Sequence, residues 1–185
     1  MEKGHMDRKG ITIERIRESG SKEYSFIEEL LTASFPIDEY RPLDEQRQNV
    51  ESAGCFHMNL LRLHQEPVGL LSYWQLEDFV YIEHFAVHPS LRGKGYGREA
   101  ITSLIEEKQS IVLEVEPPTD ELTRRRIAFY SRCGLTLCAK EYVQPAYRAG
   151  GNEIPLKLMH CVVDMERDFE RIRECIYRMI YNKRI

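Results

Sequence analysis

At 185 residues the chain has room for one domain with a sizeable core and little more. A hydrophobic content of 42%, with one Trp, ten Tyr and seven Phe, suits a packed α/β core, and a net charge of −4 argues against broad nucleic-acid binding. No apolar run approaches membrane-spanning length and the polar N-terminus lacks a signal-peptide core, so no membrane role is expected and the cytoplasm is the expected location.

Residues 1–10 are polar, include Gly4-His5-Met6, and carry no fold information. Residues 11–16 alternate apolar and polar, as a half-buried strand does. Ser21 is placed to cap a helix reaching Ser34, with Phe26, Ile27, Leu30 and Leu31 on one face, and Phe35-Pro36 ends it. Residues 37–43 are irregular, and Asp44 opens a short polar helix to Ser52. Residues 56–64 and 68–76, on either side of Gln65-Glu66-Pro67, read as a hairpin. Asp78 turns the chain into a strand over 79–87, so a run of antiparallel strands is expected.

The next stretch organises the rest. After the strand, Pro89 breaks regular pairing, and Arg92-Gly93-Lys94-Gly95-Tyr96-Gly97-Arg98 leads into a helical pattern over 98–108. A strand, a glycine turn and a helix make an anion site, because the first helical turn carries unpaired N–H groups and a partial positive charge. Glycines let that backbone approach a phosphate oxygen, and Arg92, Lys94 and Arg98 add charge. The loop is not a Walker A sequence, which needs Gly where His88 sits and Ser or Thr where Gly95 sits. Nor is it a dinucleotide fingerprint, which needs a third Gly at Arg98 and belongs after the first strand of its fold.

Downstream, residues 111–115 read as a strand ended by Pro117-Pro118, and Asp120 caps a helix that runs to Cys133 and stops at Gly134. Residues 135–143 and 154–160 are the last strands. The loop between them, 144–152, contains Pro145, Gly150 and Gly151 and is long enough to reach over a site. Asp164 caps a helix over 165–182 whose stripe of Phe169, Ile172, Ile176, Met179 and Ile180 is expected to pack on the domain or on a partner subunit, which leaves a homodimer open. The cysteines Cys55, Cys133, Cys138, Cys161 and Cys175 are odd in number and form no C-x-x-C, so neither disulfides nor a zinc site are expected.

The glycine stretch resembles the acetyl-CoA site of the GCN5-related N-acetyltransferases, the GNAT superfamily. Their Arg/Gln-x-x-Gly-x-Gly/Ala signature is met by Arg92, Gly95 and Gly97, and the Ala-Val-x-Pro-like end of the preceding strand by Ala86, Val87 and Pro89. The resemblance covers about residues 11–160 and implies a mixed α/β (α+β) fold. It would have a mostly antiparallel sheet of about seven strands, a splayed parallel pair at its centre, and the last helix, 161–185, as an extra element. It implies acetyl-CoA as cosubstrate and no metal. Phe85, Ala86 and Val87 would pair with the pantetheine amides, and the N–H groups from Arg92 through Gly93, Lys94, Gly95, Tyr96 and Gly97 to Arg98 would hold the pyrophosphate. The wall between the first two helices makes Phe35, Glu39, Tyr40 and Arg41 candidate acceptor contacts.

Acetyl transfer to an amine needs a group that removes a proton from the ammonium and one that protonates the departing thiolate. Strict alternation puts Tyr81, Glu83, Phe85 and Val87 on one face of the strand and His84, Ala86 and His88 on the other. Glu83 is the candidate base or amine ligand, with a salt bridge as the alternative. Glu114 and Glu116 on the next strand are the runners-up, Glu114 bordering the gap between splayed strands. His84 and His88 lie about 13 Å apart along a strand, too far to share a metal. Tyr130, in Phe129-Tyr130-Ser131-Arg132-Cys133-Gly134-Leu135, resembles the family's Phe-Tyr-x-x-x-Gly-Phe segment, whose Tyr meets the CoA sulfur, although Leu135 replaces the aromatic. Thr123 stands where the family often has an Asn that contacts the pantetheine arm.

Three functions compete. They are an N-acetyltransferase for a small or amino-acid-like amine, a protein or peptide N-acetyltransferase, and a non-catalytic acyl-CoA-binding module.

Overall fold

A computed structural model describes residues 10–183. The opening polar stretch expected to carry no fold information lies, apart from Gly10, outside those described residues. The chain folds into a sheet with helices on both faces.

The strands are β1 (Ile11–Ile16), β2 (Phe56–Leu63), β3 (Glu66–Gln75), β4 (Val80–Val87), β5 (Ile111–Val115), β6 (Thr136–Leu137), β7 (Tyr142–Gln144) and β8 (Ile154–Cys161). They order as β1-β2-β3-β4-β5-β8-β6, with β7 also on β8. Every pairing is antiparallel except β4 with β5, which is parallel. The single strand expected over 135–143 is therefore two. β6 pairs with the far end of β8 and β7 with its beginning, and between them the chain leaves the sheet, where Lys157 Nζ donates to Ala139 O at 3.2 Å.

The helices are α1 (Lys22–Ser34), α2 (Leu43–Ser52), α3 (Tyr96–Lys108), α4 (Glu121–Arg132) and α5 (Met165–Ile180). Local chemistry explains their starts. Ser21 Oγ accepts from Tyr24 N, Asp120 and Thr123 form a reciprocal capping box, and Asp164 accepts from Glu166 N and Arg167 N. One core joins Ile27, Leu30 and Leu31 of α1 and Val50 of α2 to Phe169, Ile172 and Ile176 of α5, under one sheet face. The other joins Ala100, Ile101 and Leu104 of α3 to Tyr130 of α4 under the opposite face. The apolar stripe of α5 is thus spent on the domain's own core, except Met179, which turns to solvent.

Two features of the sheet build the site. β4 and β5 pair only from Val80–Ile82 with Ile111–Leu113 and then part, leaving the β4 edge open from Glu83 onward. The β3–β4 register also slips between Ser72 and Tyr73, so Ser72 faces His84, Tyr73 faces Ile82, and Glu83 has no partner. This bulge corrects the strict alternation expected from sequence. Tyr81 and Ala86 face the α1/α5 core while Ile82 and Phe85 face the α3/α4 core. Glu83 and His84, adjacent in sequence, both turn toward the α1 side, since Glu83 meets Arg41 and His84 meets Phe35.

Candidate active site

The glycine turn is built as an anion cradle. Gly93 (φ +76°) and Gly95 (φ +88°) occupy the left-handed region, where a side chain is strained. Gly95 is the N-cap of α3 and has no side chain to cap it. Among the described residues, the N–H groups of Tyr96, Gly97 and Arg98 have no protein acceptor, while Glu99 N already reaches Gly95 O at 3.1 Å. Gly97 is needed for space: a Cβ there would meet Phe85 Cζ at 3.3 Å and Phe129 Cζ at 3.5 Å. Those two rings stack, with centroids 6.2 Å apart. Arg92 Nε donates to Val87 O at 2.9 Å and ties the turn to the end of β4. These features fit the diphosphate of acetyl-CoA, and the open β4 edge fits an extended amide-bearing arm.

The turn opens onto a cavity of about 880 Å³ that runs into the gap between β4 and β5. Of the residues singled out from sequence, Phe35, Glu39, Glu83, Phe85, Ala86, Val87, Arg92, Gly93, Gly95, Tyr96, Gly97, Arg98, Glu114, Phe129 and Tyr130 line it. Lys94, Tyr40, Arg41 and Thr123 do not. Lys94 points to solvent. Tyr40 is buried beneath the Arg148 guanidinium, 5.2 Å from its ring centroid. The Thr123 hydroxyl is committed to the α4 capping box.

The two carboxylates at the splay differ sharply. Glu83 is locked. It pairs with Arg41 and accepts from Trp74 Nε1 at 3.1 Å and Tyr147 Oη at 2.9 Å. The Arg41 guanidinium lies between the Trp74 and Tyr147 rings, 5.1 and 5.3 Å from their centroids. The Glu83 side chain is 0% exposed. What Glu83 offers the cavity is therefore main chain. Burial pushes its carboxyl up, but Arg41 and the hydrogen bonds prevail and hold it below the usual range. The alternative weighed for Glu83 from sequence, a salt bridge, is what the side chain makes.

Among the described residues, no cation forms an ion pair with Glu114. Tyr142 Oη donates to its Oε1, and Tyr181 Oη lies 3.2 and 3.1 Å from Oε1 and Oε2. Burial raises its pKa to about 7, opposed by the phenol hydrogen bonds. It is thus poised to take or release a proton at neutral pH. Glu116 is paired with Arg126 and Glu39 carries a carboxyl raised by burial.

Tyr130 is buried on α4, edge-on to Phe129, and its pKa is pushed up to about 12 by burial. It stays a neutral donor throughout the physiological range. His84 is structural: its Nε2–H donates to Glu39 O at 2.9 Å, and Ser72 Oγ lies 3.2 Å from Nδ1. His88 is exposed. Sequence reading missed Trp74, Tyr142, Tyr147 and Tyr181.

An open-edged mixed sheet, split at one parallel pair beside a glycine-turn anion site, is the GNAT architecture. Residues 24–135 match the acetyltransferase (GNAT) family profile, and the chain belongs to that family. A Bacteroides thetaiotaomicron protein assigned to the GNAT acetyltransferases is 40% identical, with a TM-score of 0.90 over 94% of this chain and 99% of that one. YjbC of Bacillus subtilis strain 168, assigned as an acetyltransferase, is 27% identical over 105 residues, so the match spans about half of each chain, 52% in both. A Bacillus subtilis acetyltransferase solved with CoA shares the fold at 16% identity, with a TM-score of 0.56 over 84% of this chain and 99% of that one. Among the described residues, no group of three or more His, Cys, Asp or Glu is placed to hold a metal, and no helix is long and apolar enough to cross a membrane.

Proposed function

We propose that the protein is an N-acetyltransferase that moves the acetyl group of acetyl-CoA to the amine of a small acceptor by direct attack. The observation that carries this reading is one continuous cavity that holds the unpaired first turn of α3, the Glu114 carboxylate and the Tyr130 phenol. Acetyl-CoA supplies a thioester carbonyl open to attack by an amine. The chain's own groups do the rest. The α3 turn with Arg92 and Arg98 holds the diphosphate. The open β4 edge orients the pantetheine arm. Glu114 removes the ammonium proton, and Tyr130 protonates the departing sulfur. Glu83 anchors Arg41 and so shapes the wall rather than handling the proton.

The small-acceptor reading is favoured over a peptide by a latch across the acceptor side. Arg148 donates to Ile37 O and Tyr40 O, and Asn152 Nδ2 reaches Asp38 Oδ2 at 3.1 Å. These bonds join the two loops that a peptide groove needs apart.

The test is CoA release against a panel of small amines, amino acids and peptides bearing free N-termini or lysines. Turnover led by small amines is expected. Peptides outrunning them would move the protein to the second class, and tight acetyl-CoA binding without any turnover would make it a binding module. Tyr130→Phe should lower kcat by about 100-fold with little change in acetyl-CoA affinity.

A further inference from the structure

The carboxylate assigned as base accepts from two phenols, Tyr142 and Tyr181, both from beyond residues 24–135 that match the family, and a third, Tyr81, stands behind Tyr181. Tyr142 belongs to β7, Tyr81 to β4, and Tyr181 is the C-cap of α5. Tyr181 Oη sits across both oxygens of Glu114, at 3.1 and 3.2 Å, and lies 3.2 Å from Tyr81 Oη. A phenol has one proton to give. If Tyr181 gives its proton to the carboxylate, Tyr81 must be the donor in the tyrosine pair. The result is a directed chain, Tyr81 to Tyr181 to Glu114, with Tyr142 donating to the same carboxylate.

We propose that Tyr181, carried by the C-terminal helix, is a positioning residue for Glu114: it fixes the carboxylate's orientation and sets the pH at which it accepts a proton. This rests on the reading of Glu114 as base. The groups that face Glu114 are Tyr81 and Glu83 from β4, Tyr142 from β7, Tyr147 from the β7–β8 loop, and Tyr177 and Tyr181 from the α5 end. All but Glu83 are neutral phenols. Among the described residues, no Lys, Arg or His forms an ion pair with Glu114, whereas Glu83 has Arg41. The contrast gives the arrangement its logic. A cation would hold the carboxylate permanently ionised, as Arg41 does for Glu83. Neutral hydroxyls solvate it just enough to let it cycle.

The experiment follows kcat/KM against pH for the wild type, Tyr181→Phe, Tyr142→Phe and Glu114→Gln, using acetyl-CoA and the best amine of the panel. Removing a phenol donor destabilises the ionised carboxylate, so Tyr181→Phe should move the acid limb up by about one pH unit. At pH 6 that is a loss of about tenfold, with the acetyl-CoA KM within about twofold of wild type. Incorporating 3-fluorotyrosine at position 181 makes the hydroxyl a stronger donor and should move the limb the other way, toward lower pH. That arm keeps the test sharp even where the Phe variant folds poorly. An acid limb unmoved by both replacements, with Glu114→Gln inactive, overturns the role of Tyr181 and leaves the base in place. Glu114→Gln turning over at the wild-type rate overturns both.

Discussion

Gly95 shows how much one residue decides here. Its backbone stands at φ +88° with nothing within 4 Å of a notional Cβ, so the constraint is conformational rather than steric. An L-residue there costs about 1–2 kcal/mol. Gly95→Glu adds a negative charge at a helix N-terminus meant for a diphosphate. It should raise the acetyl-CoA Kd by about tenfold or more, measured calorimetrically, with the far-UV spectrum unchanged. Unaltered affinity would remove the cradle from the scheme. Glu114 makes a second prediction, this one about stability. Its carboxyl titrates near 7 in the fold and near the ordinary 4.5 when unfolded. Between those values the folded state binds more protons. The contribution is therefore full below about pH 4.5 and lost as the pH rises through 7. Glu114→Gln abolishes this slope. Urea melts should find the variant gaining on wild type from pH 5 to pH 8, by at most about 3 kcal/mol. An equal difference at both pH values would mean the carboxyl is not raised.

At the level of elements, what was legible in the sequence was local. Ser21, Asp120 and Asp164 announced three helix starts, and the glycine turn announced the anion site, because caps and left-handed turns are written in a few adjacent residues. The bulge in β4 was not legible, since it depends on the register against β3, and it decided which carboxylate is free. Without it Glu83 and Phe85 share a face; with it Glu83 turns to Arg41. The phenol cage was hidden for a related reason. Tyr81 and Tyr181 meet across 100 positions of sequence, and an aromatic at helical spacing reads as core until the fold shows its hydroxyl. The α5 stripe illustrates the same ambiguity, since amphipathicity alone does not say what covers it. Ile176 is fully buried in the main core. Ile176→Ala should therefore cost about 2–4 kcal/mol in urea unfolding at low protein concentration. Because α5 also carries Tyr181, the loss should appear in kcat before the fold is lost. A cost under about 0.5 kcal/mol would mean that the stripe does not pack on this core.

Taken whole, the molecule separates its charges along one cavity. The protein is net acidic at −4, yet the turn end of the cavity presents Arg92, Arg98 and Arg132. Among the described residues none of these three has a carboxylate partner within salt-bridge distance. The charges at the other end are paired: Arg41 with Glu83 in the interior and Arg126 with Glu116 at a part-exposed rim. An anion bearing several charges is therefore drawn by an exposed, unpaired cluster, whereas the chemistry occurs among groups already neutralised or shielded by phenols. Salt acts on the first and barely on the second, because exposed charges are screened over about 10 Å at 0.1 M ionic strength and buried pairs much less. Raising NaCl from low millimolar to half molar should lift the acetyl-CoA KM several-fold while kcat changes little. Arg98→Glu should both raise that KM and flatten its salt dependence. If instead kcat fell with salt while the acetyl-CoA KM stood still, the arginine end would not be the cosubstrate's entrance, and the polarity of the cavity would have to be read in reverse.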